Sequence, residues 1–311
     1  MVKVFIDGKE GTTGLKIYER LSPRSDIEII VIDEEKRKDL EERKKCINAS
    51  DITFLCLPDV AAREAVSLVE NENTRIIDAS TAHRTEEGWA YGFPELGAEF
   101  RANIEKGKRI AVPGCHASGF LSIVYPLIKC GIMPKDYPVV CHSISGYSGA
   151  GKKAIAQYEA KDRPVELDSP RQYALGQVHK HLPEMQKISG LSDKPLFTPI
   201  IADFYSGMEV TIPLYSKMLV GHQTPETVYN ALKEHYKGQK MVKVEPCFGE
   251  SAVSFLPANS LSGVNTMTIS VHGNEDRIIV TSVFDNLGKG ASGAAMQCMN
   301  IMLGLDEDSY L

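Results

Sequence analysis

The residue best placed to do chemistry is Cys115, in the run Val112-Pro113-Gly114-Cys115-His116-Ala117-Ser118-Gly119. It follows a strand-like segment at residues 109–112 and precedes a helical pattern over residues 120–128. A thiol at a helix N-terminus is expected to ionise easily, because that end carries partial positive charge. The N–H groups of the same turn suit an oxyanion. None of the other six cysteines has this setting; Cys56, Cys141 and Cys298 lie in apolar elements and read as core. On residue chemistry alone, a buried structural thiol is the alternative for Cys115.

A nucleophilic cysteine works with a histidine that moves protons. His179-Lys180-His181-Leu182-Pro183-Glu184 offers two. Pro183 biases the preceding backbone toward extended conformations, so the pair is expected on a loop or turn. The His-x-His spacing has no companion cluster of thiols or carboxylates, so no metal is expected. Two ordinary loop histidines are the alternative.

Gly8, Gly11 and Gly14 follow one strand and open a helix near Leu15. Glycines there let the backbone turn sharply and approach a pyrophosphate, whose charge the helix N-terminus favours. The spacing is GxxGxxG rather than GxGxxG, and a tight strand–helix turn that binds nothing would look similar. Asp33 lies 19 residues past Gly14, where an acid meets the ribose of NAD. Lys36, Arg37 and Lys38 follow at once and suit the 2′-phosphate of NADP. Residue chemistry leaves that choice open, and a solvated charged face is a third reading.

One decoy is visible. Residues 146–152, GYSGAGK, match GxxxxGK, but Lys153 stands where a P-loop needs Ser or Thr to hold magnesium. A kinase is disfavoured, although the loop suits a substrate phosphate.

Short apolar strands are expected at residues 2–6, 27–32, 52–57, 75–78 and 109–112, alternating with helices that include 61–69. A solvated helix is expected within the charged run 34–45. Alternating strands and helices imply a parallel sheet. From about residue 139 the character changes to alternating strands at 139–143, 209–214, 266–272 and 277–283, which imply a mixed or antiparallel sheet. A Gly/Ala-rich helix is expected at 291–303. The fold class is α/β plus α+β: a Rossmann-type dinucleotide domain with a second mixed-sheet domain.

With 311 residues, the chain exceeds the roughly 250–300 residues at which single cores stop growing, which favours two domains. A net charge of −6 with both signs mixed argues against a nucleic-acid partner, since that needs a concentrated basic face. No apolar run approaches the ~20 residues of a membrane span. The start, MVKVFIDG, reads straight into a strand without a signal-peptide layout, so a cytoplasmic location is expected. Seven scattered cysteines with no CxxC pair argue against a disulfide framework or zinc ribbon.

Taken together, these segments resemble N-acetyl-γ-glutamyl-phosphate reductase in its shorter form. The likeness runs through FIDGKEGTTG at 5–14, FLCLPD at 54–59, DASTAHR at 78–84, YGFPEL at 91–96 and VPGCHASGF at 112–120. It continues through SGYSGAGKK at 145–153, HKHLPEM at 179–185 and DNLGKGASGAAMQ at 285–297. The loop departs from the pattern at Lys9-Glu10, where many relatives carry small residues.

The resemblance implies the fold shared by glyceraldehyde-3-phosphate and aspartate-semialdehyde dehydrogenases. The dinucleotide domain is expected at 1–115 plus 287–311, its last helix returning to it. The catalytic, substrate and dimerisation domain is expected at 116–286. Cys115 is implied as the nucleophile and His181, rather than His179, as the acid/base. NADP(H) is the implied cofactor, held by Gly8, Gly11, Thr12, Thr13, Gly14, Pro58, Ser80 and Asn286. Arg84, Ser145, Gly146, Ser148 and Lys180 are expected at the substrate, with Arg109, Arg171 and Lys152 as further cationic candidates. The implied activity is reduction of an acyl phosphate to an aldehyde through a Cys115 thioester, in arginine biosynthesis. The implied partners are a small acyl-phosphate substrate and further copies of the chain, as a dimer or tetramer. The alternatives are aspartate-semialdehyde dehydrogenase, the acyl-phosphate reductase of lysine biosynthesis, and a non-enzymatic NADP sensor.

Overall fold

The computed structural model describes residues 1–311. The chain divides into two compact units, Met1–Pro113 with Ala291–Leu311, and Gly114–Gly290.

The first unit alternates strands and helices: β1 (Val2–Asp7), α1 (Thr12–Leu21), β2 (Ile27–Ile30), α2 (Leu40–Ala49), β3 (Ile52–Leu55), α3 (Asp59–Ser67) and β4 (Arg75–Asp78). Then come β5 (Ala90–Tyr91), α4 (Ala98–Lys106) and β6 (Arg109–Ala111). All pairings are parallel, in the order β2-β1-β3-β4-β6-β5. The order reverses at β1, so the loop after it sits at a topological switch point, where such sheets bind ligands.

Alternation along β1 sends Val4 and Ile6 into one core cluster and Phe5 into another. Every residue of β3 is buried, as expected for a strand covered on both faces. The Val4 and Ile6 side is covered by α1 and by the last helix of the chain, Gly293–Met302. That helix is buried at all ten positions, and Gln297 settles its amide between Glu95 and Glu307 at 2.8 and 2.9 Å.

The charged run after β2 is not one solvated helix over 34–45. A short 3-10 turn, Glu34–Lys36, is capped by Asp33, and α2 begins only after Asp39, whose carboxylate accepts from the N–H groups of Glu41 and Glu42. Asp39 is a helix start hidden among like charges. Arg43 on α2 is buried, because its guanidinium reaches Asp7 on β1 at 2.9 Å and Glu64 on α3 at 2.8 Å.

The second unit opens with α5 (Cys115–Lys129), then β7 (Val140–Gly146), α6 (Lys152–Tyr158), β8 (Arg171–Gln172) and α7 (Leu182–Ser189). It continues with β9 (Leu196–Ala202), β10 (Met208–Tyr215), α8 (Pro225–His235), β11 (Val242–Pro246), β12 (Met267–Gly273) and β13 (Arg277–Phe284). The sheet order is β11-β12-β13-β10-β7-β9-β8. Pairs β11–β12 and β7–β9 are parallel and the rest antiparallel. Gly119 lets α5 lie close on this sheet: a Cβ there would meet Phe284 at 2.9 Å and would overlap Val210. No helix of the structure is long and apolar enough to cross a membrane.

Candidate active site

In the first unit, Gly8 turns the chain with φ +87°, and a Cβ there would lie 2.9 Å from the Cys56 carbonyl carbon. A Cβ on Gly14 would lie 2.9 Å from Lys9 Cα and would overlap the Gly8 carbonyl. Both positions therefore need glycine. Gly11 is the N-cap of α1, which begins at Thr12 and Thr13 rather than near Leu15. The loop borders a cleft of about 690 Å³, whose walls include Gly8, Gly11, Asp33, Arg37, Lys38 and Pro58. Its size and glycine rim suit a dinucleotide.

Asp33 is committed locally. Its Oδ1 accepts from the Glu35 N–H at 3.1 Å, which is the capping geometry of a turn. Ser80 is likewise engaged: its hydroxyl donates to Asp78 Oδ2 at 2.7 Å and its N–H to Oδ1 at 2.8 Å. The Asp78 carboxylate also holds His83 at 2.6 Å, whose ring stacks on Trp89.

Arg84, expected at the substrate, also makes bonds to backbone carbonyls. Its Nε donates to the Val112 carbonyl at 2.8 Å and Nη2 to the Ala79 carbonyl at 3.2 Å. It braces the segment that follows β4 against the one that follows β6. Arg109 similarly donates to the Thr74 and Lys108 carbonyls.

In the second unit, Cys115 is the first residue of α5, with Gly114 as N-cap and no acidic residue in the first turn. The helix thus starts five residues before the sequence pattern indicated, because the small residues Ala117, Ser118 and Gly119 hide its period. Cys115 is half-buried, whereas Cys141 and Cys298 are fully buried. Burial pushes the thiols of Cys141 and Cys56 upward. Gly290 keeps the wall beside Cys115 thin, since a Cβ there would lie 3.0 Å from Cys115 Cβ.

His181 is the N-cap residue of α7, so the histidine pair lies on the turn that leads into that helix, as expected. Pro183 falls in the first turn of that helix, where its missing N–H costs nothing, so the extended backbone expected before it does not form. His179 precedes the helix, and its Nδ1 accepts from the His181 N–H at 3.2 Å. The ring of His116, next to Cys115 in the chain, lies 5.5 Å from that of His181 and 5.7 Å from that of His179. Cysteine and histidine pair are therefore gathered at the starts of α5 and α7. Glu184 accepts from the Gly114 N–H at 3.3 Å across the same gap.

Residues 146–152 form a 3-10 turn, Tyr147–Ala150, leading into α6. A Cβ on Gly146 would meet the Phe204 and Tyr205 carbonyls at 2.7 Å. Asn286 ties this turn down: its amide donates to Ser148 Oγ at 3.0 Å and accepts from the Gly207 N–H at 2.8 Å. That amide, expected at the cofactor, has both ends engaged within this unit. Ser145 Oγ donates to the Gly146 carbonyl at 3.1 Å, Arg171 donates to the Tyr158 hydroxyl at 2.8 Å, and Lys180 is exposed. Sequence reasoning missed Ser143 and Tyr173, which hold the two ring nitrogens of His116. No local pattern marks residues that meet only through the sheet.

A switch-point glycine cleft and a cysteine–histidine pair on a mixed sheet define a nicotinamide-dependent dehydrogenase of the semialdehyde dehydrogenase class. Residues 3–104 match the family described as "Semialdehyde dehydrogenase, NAD binding domain", and residues 115–286 match "Semialdehyde dehydrogenase, dimerisation domain". Within that class, the chain belongs to the N-acetyl-γ-glutamyl-phosphate reductase family. It is 45% identical to N-acetyl-gamma-glutamyl-phosphate reductase 2 of Nostoc sp., covering 98% of both chains. It is 43% identical to the protein of the same name from Pseudomonas putida, covering 97% of this chain and 96% of the other. Among solved structures, aspartate semialdehyde dehydrogenase from Francisella tularensis matches with TM-score 0.73 at 16% identity, covering 97% of this chain and 100% of that one. The Candida albicans enzyme, solved with NADP, matches with TM-score 0.67 at 14% identity over 100% of both chains. These structures share the fold.

Proposed function

We propose that this protein reduces N-acetyl-γ-glutamyl phosphate to N-acetylglutamate 5-semialdehyde and inorganic phosphate with NADPH, as a cytoplasmic step of arginine biosynthesis. The observation that carries this reading is the position of Cys115 as first residue of α5, whose next residue, His116, has its ring 5.5 Å from that of His181. The near full-length likeness to reductases of that name selects the substrate.

The Cys115 thiolate attacks the acyl carbon; a C–S bond forms, the C–O bond to phosphate breaks, and phosphate leaves. First-turn N–H groups of α5, which an α-helix cannot bond internally, hold the carbonyl oxygen as it gains charge. The glycine loop would hold the nicotinamide cofactor, whose reduced form would supply the hydride that the thioester carbon needs. His181 then manages the proton on the tetrahedral oxygen, the C–S bond breaks, and sulfur leaves as thiolate with the aldehyde. Capture as a thioester separates loss of phosphate from reduction, replacing one hard step by two easier ones.

Gly8, Gly11, Thr12, Thr13 and Gly14 would hold the pyrophosphate. Arg37 and Lys38 line the cleft, while the carboxylate of Asp33 caps a turn; this favours a 2′-phosphate over a bare ribose. The match of residues 115–286 to a dimerisation domain supports a homo-oligomer built through the second unit, which sedimentation velocity measures.

The test is phosphate-dependent NADP reduction with N-acetylglutamate semialdehyde, beside aspartate semialdehyde, for wild type and Cys115→Ala. The expected result is turnover of the acetylated substrate by wild type only, with NADPH binding kept in the variant. Activity retained by Cys115→Ala, or preference for aspartate semialdehyde, would end this reading.

A further inference from the structure

Asp7 ends β1, directly before Gly8, on the face that Phe5 shares with residues of α2 and α3. Its carboxylate is buried. Arg43 on α2 donates to it twice, from Nε at 3.0 Å and from Nη2 at 2.9 Å, and both bonds end on the same oxygen, Oδ2. Nη1 of Arg43 goes on to Glu64 on α3 at 2.8 Å. A guanidinium that pairs in the fork-to-fork manner serves both oxygens of a carboxylate. Here one oxygen takes both bonds and Oδ1 is left over.

Oδ1 takes no hydrogen bond from the protein, yet it is not sealed in the interior. The Asp7 side chain keeps 6% of its surface exposed, and Asp7 forms part of the wall of the cleft beside the glycine loop. Oδ1 therefore opens to that cleft. Burial, the largest influence, pushes the Asp7 carboxyl up against the opposing pull of Arg43. A carboxylate oxygen short of water and short of protein donors gains most from a donor that arrives with a ligand.

A pyrophosphate has acceptors only, and a carboxylate repels it. The partner of Oδ1 is therefore a hydroxyl or amino group beside the pyrophosphate. Arg37 and Lys38 on the same wall suit the 2′-phosphate of the adenosine ribose, which leaves the 3′-hydroxyl as the one donor on that sugar. Resting on the NADP reading of this cleft, we propose that Asp7 Oδ1 accepts a hydrogen bond from the 3′-hydroxyl of the adenosine ribose, with Arg43 as the positioning residue that turns the carboxylate there.

The other acids of the wall are poorer acceptors for that hydroxyl. Asp33 stands where an acid meets the ribose in NAD proteins, but its Oδ1 is spent on the Glu35 N–H. Asp33, Glu10 and Glu34 are all exposed, so water competes there with any ligand donor. Asp7 is the buried acid among them, and its orientation is fixed before a ligand arrives. A donor that meets it need not pay to order it. The positive charge of Arg43 also offsets the carboxylate's repulsion of the neighbouring pyrophosphate.

The experiment is isothermal titration calorimetry of the full-length protein with 2′,5′-ADP and with its 3′-deoxy analogue. Wild type is compared with Asp7→Ala, with near-UV circular dichroism as fold control. Wild type is expected to bind 2′,5′-ADP about ten- to a hundredfold more tightly than the deoxy ligand, the effect of one hydrogen bond to a charged group. Asp7→Ala is expected to bind the two ligands alike, near the affinity of wild type for the deoxy ligand. Arg43 keeps Glu64 and the Ala61 carbonyl in that variant. If it nevertheless does not fold, Asp7→Ala combined with Arg43→Met, which removes both buried charges, takes its place. Equal affinity of wild type for the two ligands would overturn the role of Asp7 and leave the cofactor reading standing. Discrimination retained without Asp7 would also overturn it and hand the ribose to Asp33. Failure of wild type to bind either 2′,5′-ADP or NADPH would sink the cofactor reading, and the role of Asp7 with it.

Discussion

The side-chain amide of Gln177 hydrogen-bonds both backbone groups of Phe197: Nε2 donates to the carbonyl at 2.8 Å, and Oε1 accepts from the N–H at 2.9 Å. Past the end of β8, one side chain continues the pairing along the edge of β9. The anchored segment carries Tyr173 at one end and His179 and His181 at the other. Phe197 in turn packs its ring 5.2 Å from His116 and 5.1 Å from His179. Gln177→Ala should lower stability by about 1–3 kcal/mol, for two lost bonds. Through misplaced histidines it should lower kcat about 10–100-fold. Thermal midpoints and steady-state kinetics check both; wild-type kcat would show that the anchor does not set the histidines.

Replacing His181 with Asn should reduce turnover by roughly 10²–10⁴-fold if it moves protons during aldehyde release. Alkylation of Cys115 and NADPH binding should change little. A variant within a few-fold of wild type would hand the role to another group, His179 first.

Arg37 and Lys38 border the cleft while Asp33 caps a turn. Arg37→Ser with Lys38→Ser should raise KM for NADPH about tenfold or more, from the loss of charge-assisted bonds to a phosphate. KM for NADH should barely move. Equal effects on both cofactors would mean that these cations do not read the 2′-phosphate.

Gly14→Ala places a methyl group against Lys9 Cα and the Gly8 carbonyl. Backbone cannot yield as a flexible side chain can, so a destabilisation of about 1–3 kcal/mol is expected, together with loss of dinucleotide affinity. Gly11→Ala meets Gly8 O at 3.3 Å and should cost less. Fluorescence titration with NADPH and urea midpoints compare them.

His116 gives stability a pH dependence. Its folded-state pKa is lowered to about 3, by burial first and then by His179 and Lys180, against about 6.5 unfolded. Between those values the unfolded chain binds the extra proton, so stability is complete above about pH 6.5 and declines as pH falls toward 3. At about 1.4 kcal/mol per unit, acidification from pH 7 to 5 should cost roughly 2 kcal/mol at this site. Urea midpoints should show the slope, and His116→Gln should flatten it; an equal slope in that variant would assign the acid sensitivity elsewhere.

Contiguous motifs were legible before any coordinates. The glycine loop, the Cys115 turn and the alternation of strands and helices depend on neighbours within a few residues. Their chemistry is local: a helix end polarises a thiol, and a missing Cβ admits a turn. β9 escaped because Pro199 lies inside it, and proline demotes a strand pattern. α4, α6, α7 and α8 were missed because short helices between long connections carry little periodic signal.

The amino-acid sequence by itself determined which residue types stand at the helix starts and turns, and hence the kind of chemistry the chain can perform. Tertiary structure alone decided what each side chain is free to do. It gave Arg84 to backbone carbonyls, Asp33 to a turn and Arg43 to a buried pair with Asp7. It also drew Ser143, His116 and Tyr173 from separate elements into one hydrogen-bonded line. The physical reason is that a polar group, once buried, must find its partner wherever the chain has folded one within about 3 Å, and sequence separation carries no record of that distance.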